Sequence, residues 1–153
     1  MFDANSFMSA AINSSSATKI VPVPVGEYLG FIKGIKPRVW QSADGTKSGL
    51  ALDVTWLIED EGVKAQLKRT EVTCRQSIML DATEDGRLME GDGVNIGLGL
   101  LRAAVGKNSD GESFSLAMLP GLSARVQVSH RPDTSQSAQP GDVFAEVKSV
   151  FKM

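Results

Sequence analysis

Residues 50–59 show the most regular alternation of side chains in this chain, and this pattern constrains the fold more than any other feature. Every second position is large and apolar, which is typical of a β-strand that turns one face to a core. The turn sequence Asp44-Gly45 precedes the segment. The positions that we expect to face the core are Leu50, Leu52, Val54, Trp56 and Ile58.

Residues 26–36 form another strand-like segment, because they are rich in aromatic and β-branched side chains. Three glycines in it are spaced four residues apart, so in a strand they would share one face with Tyr28, Ile32 and Lys36. The same spacing in an apolar helix would indicate a membrane dimer interface. Two charged residues interrupt the segment and favour the strand.

Three later segments also alternate, namely residues 70–81, 122–131 and 142–152. We expect them to be the third, fourth and fifth strands. Between the second and third strands, Glu61-Gly62 predicts a turn. The apolar residues expected to share one face of the fifth strand are Val143, Ala145, Val147 and Phe151.

A loop and a short helix are expected between the third and fourth strands. Residues 81–93 are acidic and contain glycine, which predicts the loop. Asn95 is a typical N-cap residue and Gly106 a typical C-cap residue, so a helix should lie between them. Residues 114–119 predict a short extended piece. The apolar face of the helix comprises Leu98, Leu101 and Val105.

Three strands, a short helix and two strands joined by a long loop follow the order of the oligonucleotide- and oligosaccharide-binding (OB) barrel. We therefore predict a mostly β chain forming a five-stranded OB-fold Greek-key barrel, with a short helix between strands 3 and 4. In such a barrel strands 2 and 3 form the ligand face, and the loops after strands 1 and 4 close over it. Those loops are predicted at residues 38–49 and 132–141.

The composition is that of one globular domain, with 153 residues, 42% hydrophobic and 22% charged. Residues 1–24 are predicted to be a flexible arm, since most of its second half is small and polar. The OB-fold domain is expected over residues 25–153. Phe2, Phe7 and Met8 would let the arm dock on a second copy and form a homo-oligomer; fraying of the terminus is the alternative.

The charges are segregated along the chain. Sixteen Lys and Arg against eighteen Asp and Glu give a net charge of −2, so any nucleic-acid site must be a local basic patch. Basic residues gather around the first loop and the start of the third strand, which is typical of a cationic groove for a phosphate backbone. Lysines that simply solvate the surface are the alternative. The basic candidates are Lys33, Lys36, Arg38, Lys47, Arg69, Arg75, Arg125 and Arg131.

Trp40 is the main candidate for stacking on a base, because it lies in a polar, basic segment outside the alternating strands. Stacking of this kind contributes about 1–3 kcal/mol per base and tolerates any sequence. The alternative is that Trp40 folds back onto the core. Tyr28 is a second stacking candidate. Trp56 is expected in the core, because it shares its face with Leu52 and the other apolar residues.

The chain offers little for catalysis or metal binding. His130 is its single histidine and Cys74 its single cysteine, too few for a typical triad or metal centre. The carboxylates of residues 81–92 are more simply a solvated loop. Residues 97–102 have arginine where a dinucleotide fingerprint needs its third glycine. We therefore expect no enzyme activity, no metal and no cofactor.

The sequence indicates a cytoplasmic protein without a membrane partner. No apolar run approaches the roughly 20 residues of a membrane-spanning helix. The first residues lack the basic start of a signal peptide. A lone cysteine fits a reducing compartment.

Six short segments carry a likeness to a known family: Gly26-Glu27-Tyr28, Leu50–Ile58, Gly97–Gly106, Leu119–Leu122, Ala124–His130 and Phe144–Val147. By their order and spacing, residues 25–151 resemble the phage-encoded single-stranded DNA-binding proteins of the OB-fold type. The resemblance implies sequence-independent binding and protection of single-stranded DNA during replication or recombination, in the host cytoplasm, with replication or recombination proteins as further partners. Many single-strand binders recruit partners through an acidic tail, whereas this sequence ends in Phe-Lys-Met.

The same features fit a second hypothesis. A non-enzymatic structural or assembly β-domain, such as a virion or scaffold module, could use the arm and the long loop to interlock with neighbours. The two hypotheses differ in whether single-stranded DNA binds.

Overall fold

The computed structural model describes residues 2–17 and 19–153, which form a mostly β chain whose five strands close into a barrel. Around the barrel the strand order is β1-β2-β3-β5-β4, with β4 pairing back onto β1. The β3–β5 pair is parallel and the other pairs are antiparallel. The predicted five-stranded OB-type barrel is thus confirmed. The strands are β1 (Gly26–Gln41), β2 (Ser48–Ile58), β3 (Thr73–Leu80), β4 (Ser123–Pro132) and β5 (Val143–Phe151).

The described residues also form three short α-helices and one 3-10 turn. The helices are α1 (Ala4–Ser9), α2 (Glu61–Leu67) and α3 (Ile96–Ala104), and the 3-10 turn covers Leu116–Met118. As predicted, α3 follows β3, and it packs against β3 and β5 with Leu98 and Leu101 buried. None of the helices in this part of the chain has the length and apolar character needed to cross a bilayer.

Two predictions about short elements were wrong. A helix, α2, begins where Glu61-Gly62 predicted a turn, because the Asp60 carboxylate accepts a hydrogen bond from Val63 N at 2.9 Å and caps the first turn. Val63 is buried, which ties this helix to the core. The 3-10 turn at Leu116–Met118 replaces the extended piece expected over residues 114–119.

Asn95 does not cap α3 in the predicted way. Its backbone is left-handed, with φ of 49°, and its side chain makes no capping hydrogen bond. The amide instead accepts from Asp81 N at 2.7 Å and donates to Met89 O at 3.0 Å, so it fixes the loop before the helix. On the buried face of α3, Ala104 takes the place predicted for Val105, which is the C-cap residue.

The core is centred on β2. The inner face predicted from the alternation is confirmed at its four last positions, which are fully buried, whereas Leu50 at the barrel's end is 36% exposed. Trp56 Nε1 donates a hydrogen bond to Gln76 Oε1 at 2.9 Å, so both polar groups are satisfied inside the barrel. Burial raises the pKa of the Cys74 thiol to about 11, and it packs as an uncharged side chain. The four fully buried residues of this predicted inner face are Leu52, Val54, Trp56 and Ile58.

Two β-bulges change which side chains face inward. In β1 the register shifts between Ile32 and Gly34, so Ile35 pairs with the inward Val54, and Lys36 with Asp53 on the outside. The prediction that all three β1 glycines share a face with Tyr28 was therefore wrong beyond the bulge. In β5, Lys148 is skipped in the same way. Phe151 is consequently 44% exposed, contrary to the prediction.

The end of the predicted arm packs on the barrel, while its helix does not. All six residues of α1 are exposed. Val23 is buried, and its carbonyl oxygen accepts a hydrogen bond from His130 Nε2 at 2.6 Å. Met1 and Thr18 lie outside the described residues. Docking of the arm on a second copy stays a prediction.

We expect Gly30→Ala to destabilise the barrel by about 1–3 kcal/mol, because the site is already filled. A Cβ atom at Gly30 would lie 3.0 Å from both Trp56 Cε3 and Val126 Cγ1. Thermal unfolding followed by circular dichroism measures the change. Gly34→Ala is the matched control, since no atom lies within 4 Å of its added Cβ. Equal melting temperatures for the two variants would contradict the packing argument.

Candidate nucleic-acid interface

The outer surface of the second half of β1, β2 and β3 forms a continuous face, which we call the ligand face. Successive side chains of a strand point to opposite sides of the sheet, so the residues that alternate with the inward-facing β2 residues point outward. Their paired residues on the antiparallel neighbours β1 and β3 point to the same side. Its cross-strand rows are Trp40 with Gly49, Arg38 with Ala51 and Met79, Lys36 with Asp53 and Ser77, and Gly34 with Thr55 and Arg75.

Trp40 lies on this face at the end next to the β1–β2 loop. The prediction that it sits in a loop was wrong, because β1 continues through Gln41 and Trp40 pairs with Gly49. The indole lies against Gly49, which has no side chain. A Cβ atom at this position would be only 2.7 Å from Trp40 Nε1. That Nε1 is buried without a hydrogen-bond partner among the described residues. The ring does not belong to the core cluster, so it is held on the outside of the barrel.

A groove of about 460 Å³ borders Trp40. Its lining is mixed, with the exposed side chains of Met79 (55%) and Met89 (39%) beside the polar residues Ser48, Asp81 and Thr83.

Two arginines of the ligand face converge on one carboxylate. Arg38 Nε lies 2.9 Å from Asp53 Oδ2, and Arg75 Nη2 lies 3.6 Å from the same oxygen. Arg38 Nη2 also donates to Ser77 Oγ at 3.1 Å. With Lys36 in the same row as Asp53, the rows described above hold three cations and one carboxylate. The ligand face is therefore cationic although the whole chain has a net charge of −2.

Lys47 is exposed in the β1–β2 loop, which covers residues 42–47 beside Trp40. The loop is shaped by Asp44, whose carboxylate accepts hydrogen bonds from the Ser42 and Thr46 side chains. These hydrogen bonds lower the pKa of Asp44 to about 2. The carboxylate therefore stays ionised. The loop is shorter than the predicted residues 38–49, because β1 extends to Gln41 and β2 begins at Ser48.

Three predicted cations lie away from the ligand-face rows and have acidic partners. Lys33 is the bulged residue of β1, and its Nζ lies 3.0 Å from Glu71 Oε1. Arg125 and Arg131 lie on β4, on the other side of the barrel from β2. Their partners are Glu27, at 3.8 Å from Arg125, and Glu146, at 3.3 Å from Arg131.

Arg69 and Tyr28 occupy two further places. Arg69 lies between α2 and β3 and lines a groove of about 740 Å³ with Phe144 and the β4–β5 loop. Because β3 begins at Thr73, this groove adjoins the opposite end of the ligand face from Trp40. Tyr28 packs against the core, and its hydroxyl donates to Pro24 O at 2.8 Å. Burial raises the pKa of that hydroxyl.

Four of the residues predicted from the sequence lie together on the ligand face, namely Lys36, Arg38, Trp40 and Arg75. The other residues of the ligand face were not predicted from the sequence as part of the site. Ser77 and Met79 occupy alternate, outward positions of β3, so the alternation itself could have found them. Gly49 and Asp53 carry no such signal, because their roles depend on which residues pair across β1 and β2.

No protein-family model and no curated protein matches this chain.

Proposed function

We propose that this protein binds single-stranded DNA on the ligand face, without sequence preference, and protects it during replication or recombination. The observation that carries the proposal is an indole fixed on Gly49 at one end of a cationic strip. The fold agrees, since strands 2 and 3 of OB barrels are the usual ligand surface.

The residues supply the two interactions that a single strand needs. Lys36, Arg38 and Trp40 alternate along one edge of the ligand face, about 7 Å apart from one to the next. Cations at that spacing can follow a phosphate backbone, and the indole can stack on an unpaired base. Neither interaction reads the base edges, so little sequence preference is expected.

The same arrangement disfavours a duplex. Bases in a double helix are stacked on one another, so their faces are not open to Trp40. Acidic residues also lie outside the ligand-face rows, such as Asp110 and Glu112 between α3 and β4. Their charge repels a polyanion that approaches from elsewhere.

The test is a fluorescence titration with a 20-nucleotide thymidine oligomer at low salt. We expect Trp40 emission to be quenched on binding and to recover as salt is raised, since the cationic contacts release counterions. A duplex of equal length should quench less. Trp40→Phe is the matched control: its remaining tryptophan, Trp56, is fully buried and should not respond.

An unchanged emission spectrum at low salt, together with no binding of a labelled oligomer, would favour the assembly domain instead. The exposed aromatic pair on the arm supports that second candidate, since the Phe2 and Phe7 rings lie 5.2 Å apart and are 73% and 66% exposed. Under the favoured proposal the protein acts in the cytoplasm, the host's if it is phage-encoded. Its further partners would be replication or recombination proteins or, through the arm, a second copy of itself.

A further inference from the structure

Asp53 occupies the centre of the ligand face, between its two arginines. One oxygen, Oδ2, lies 2.9 Å from Arg38 Nε and 3.6 Å from Arg75 Nη2. The aspartate side chain is only 12% exposed, whereas the Arg38 and Arg75 side chains are 45% and 75% exposed. The carboxylate therefore lies under two guanidinium groups that remain open to solvent.

The two guanidinium groups form an anion site, and the anion in it is the carboxylate of Asp53. Guanidinium groups bind carboxylates and phosphates through the same donor pattern. The Ser77 hydroxyl, bonded to Arg38 Nη2 at 3.1 Å, adds a polar group at the same place. Lys36 is the strand-pairing partner of Asp53. Glu146 lies opposite Arg75 in the β3–β5 pairing, but its ion pair is with Arg131. Asp53 is thus the carboxylate that the structure places on both arginines.

We propose that Arg38, Arg75 and Ser77 form a phosphodiester subsite in which Asp53 competes with the incoming phosphate. A backbone phosphate gains the two arginines only by sharing or displacing the carboxylate. The inference rests on the proposed function and deepens it, because it names the part of the nucleic acid that this place holds. Asp53 then limits affinity and keeps the bound strand exchangeable.

The competition has a measurable electrostatic consequence. For single strands, each phosphate contact contributes about −0.7 to the slope of log K against log salt. If Asp53 neutralises one such contact, removing its charge makes the slope steeper by about 0.7. Between 1 M and 0.1 M salt, that difference in slope amounts to roughly fivefold in affinity.

The experiment compares the wild-type protein with Asp53→Asn by fluorescence anisotropy of a labelled 20-nucleotide thymidine oligomer, from 0.1 M to 1 M salt. Asparagine keeps the shape and an acceptor oxygen for Arg38 but loses the charge. We expect the variant to bind about fivefold more tightly at 0.1 M salt and equally near 1 M. Asp92→Asn is the matched control, since it makes the same charge change in the loop before α3 and should leave the slope unchanged.

Equal slopes for Asp53→Asn and the wild type would overturn the inference while leaving the proposed function intact. Weaker binding by the variant would also overturn it, because Asp53 would then position the arginines rather than compete. If neither protein binds the oligomer at any salt concentration, the proposed function fails as well. If the Asp53→Asn protein does not fold, Asp53→Ser takes its place. A thermal melt first checks that this variant is folded, and its binding is then assayed in the same way.

Discussion

Trp56→Ala is expected to lower the free energy of unfolding by about 3–5 kcal/mol, the usual cost of emptying a buried tryptophan site. Trp56 is fully buried, and its ring lies beside Gly30, where an added Cβ atom would be 3.0 Å from Trp56 Cε3. The substitution leaves a cavity and also removes the donor to Gln76 Oε1. Urea unfolding followed by circular dichroism measures the loss.

Trp56→Phe separates the two contributions. Phenylalanine keeps most of the volume but leaves the Gln76 side-chain oxygen buried without its donor, which costs about 1–3 kcal/mol. Replacing Gln76 by leucine in the same protein should recover part of that loss. A wild-type midpoint for Trp56→Ala would show that this residue does not sustain the core.

Trp40→Ala is expected to weaken binding of single-stranded DNA by roughly 5- to 150-fold, which corresponds to about 1–3 kcal/mol of lost stacking. The loss should be similar for thymidine, cytidine and mixed oligomers, because a base face is all that the indole recognises. Stability should change little, since Trp40 is outside the core cluster. Anisotropy titrations at fixed salt measure the affinity.

Val39→Ala is the matched control on the same strand, because Val39 pairs with Leu50 on the other side of the sheet and is 73% exposed. It should bind like the wild type. Trp40→Phe should fall between the wild type and the alanine variant, since it retains a smaller ring. Normal binding by Trp40→Ala would move the site away from this end of the ligand face, towards the groove lined by Arg69 and Phe144.

The barrel could be predicted because its order of strands and its period-two alternation both survive in the sequence. The inner face of β2 is the clearest case, since one residue in two is apolar there and all of these except Leu50 are fully buried in the core. The second half of β1 could not be recognised, because Pro37, Arg38 and Val39 are all exposed and leave no alternation to detect. Trp40 was therefore assigned to a loop.

The bulges at Lys33 and Lys148 were also beyond the sequence, because one inserted residue reverses every later side chain without changing the composition. Part of the candidate site followed from the sequence all the same. Lys36, Arg38 and Trp40 are alternate residues of one strand, and Arg75 joins them through strand pairing. Arg125 and Arg131 do not belong to this face, since their strand, β4, lies across the barrel from β2.

Gly49 has no functional group, yet it decides where the indole of Trp40 can lie. Any larger residue there would occupy the space of the ring, with even a methyl group 2.7 Å from its nitrogen. The place of the Trp40 ring on the outer surface thus depends on the absence of a side chain from the paired strand. A search confined to charged, nucleophilic or aromatic residues would pass over the position on which the geometry depends.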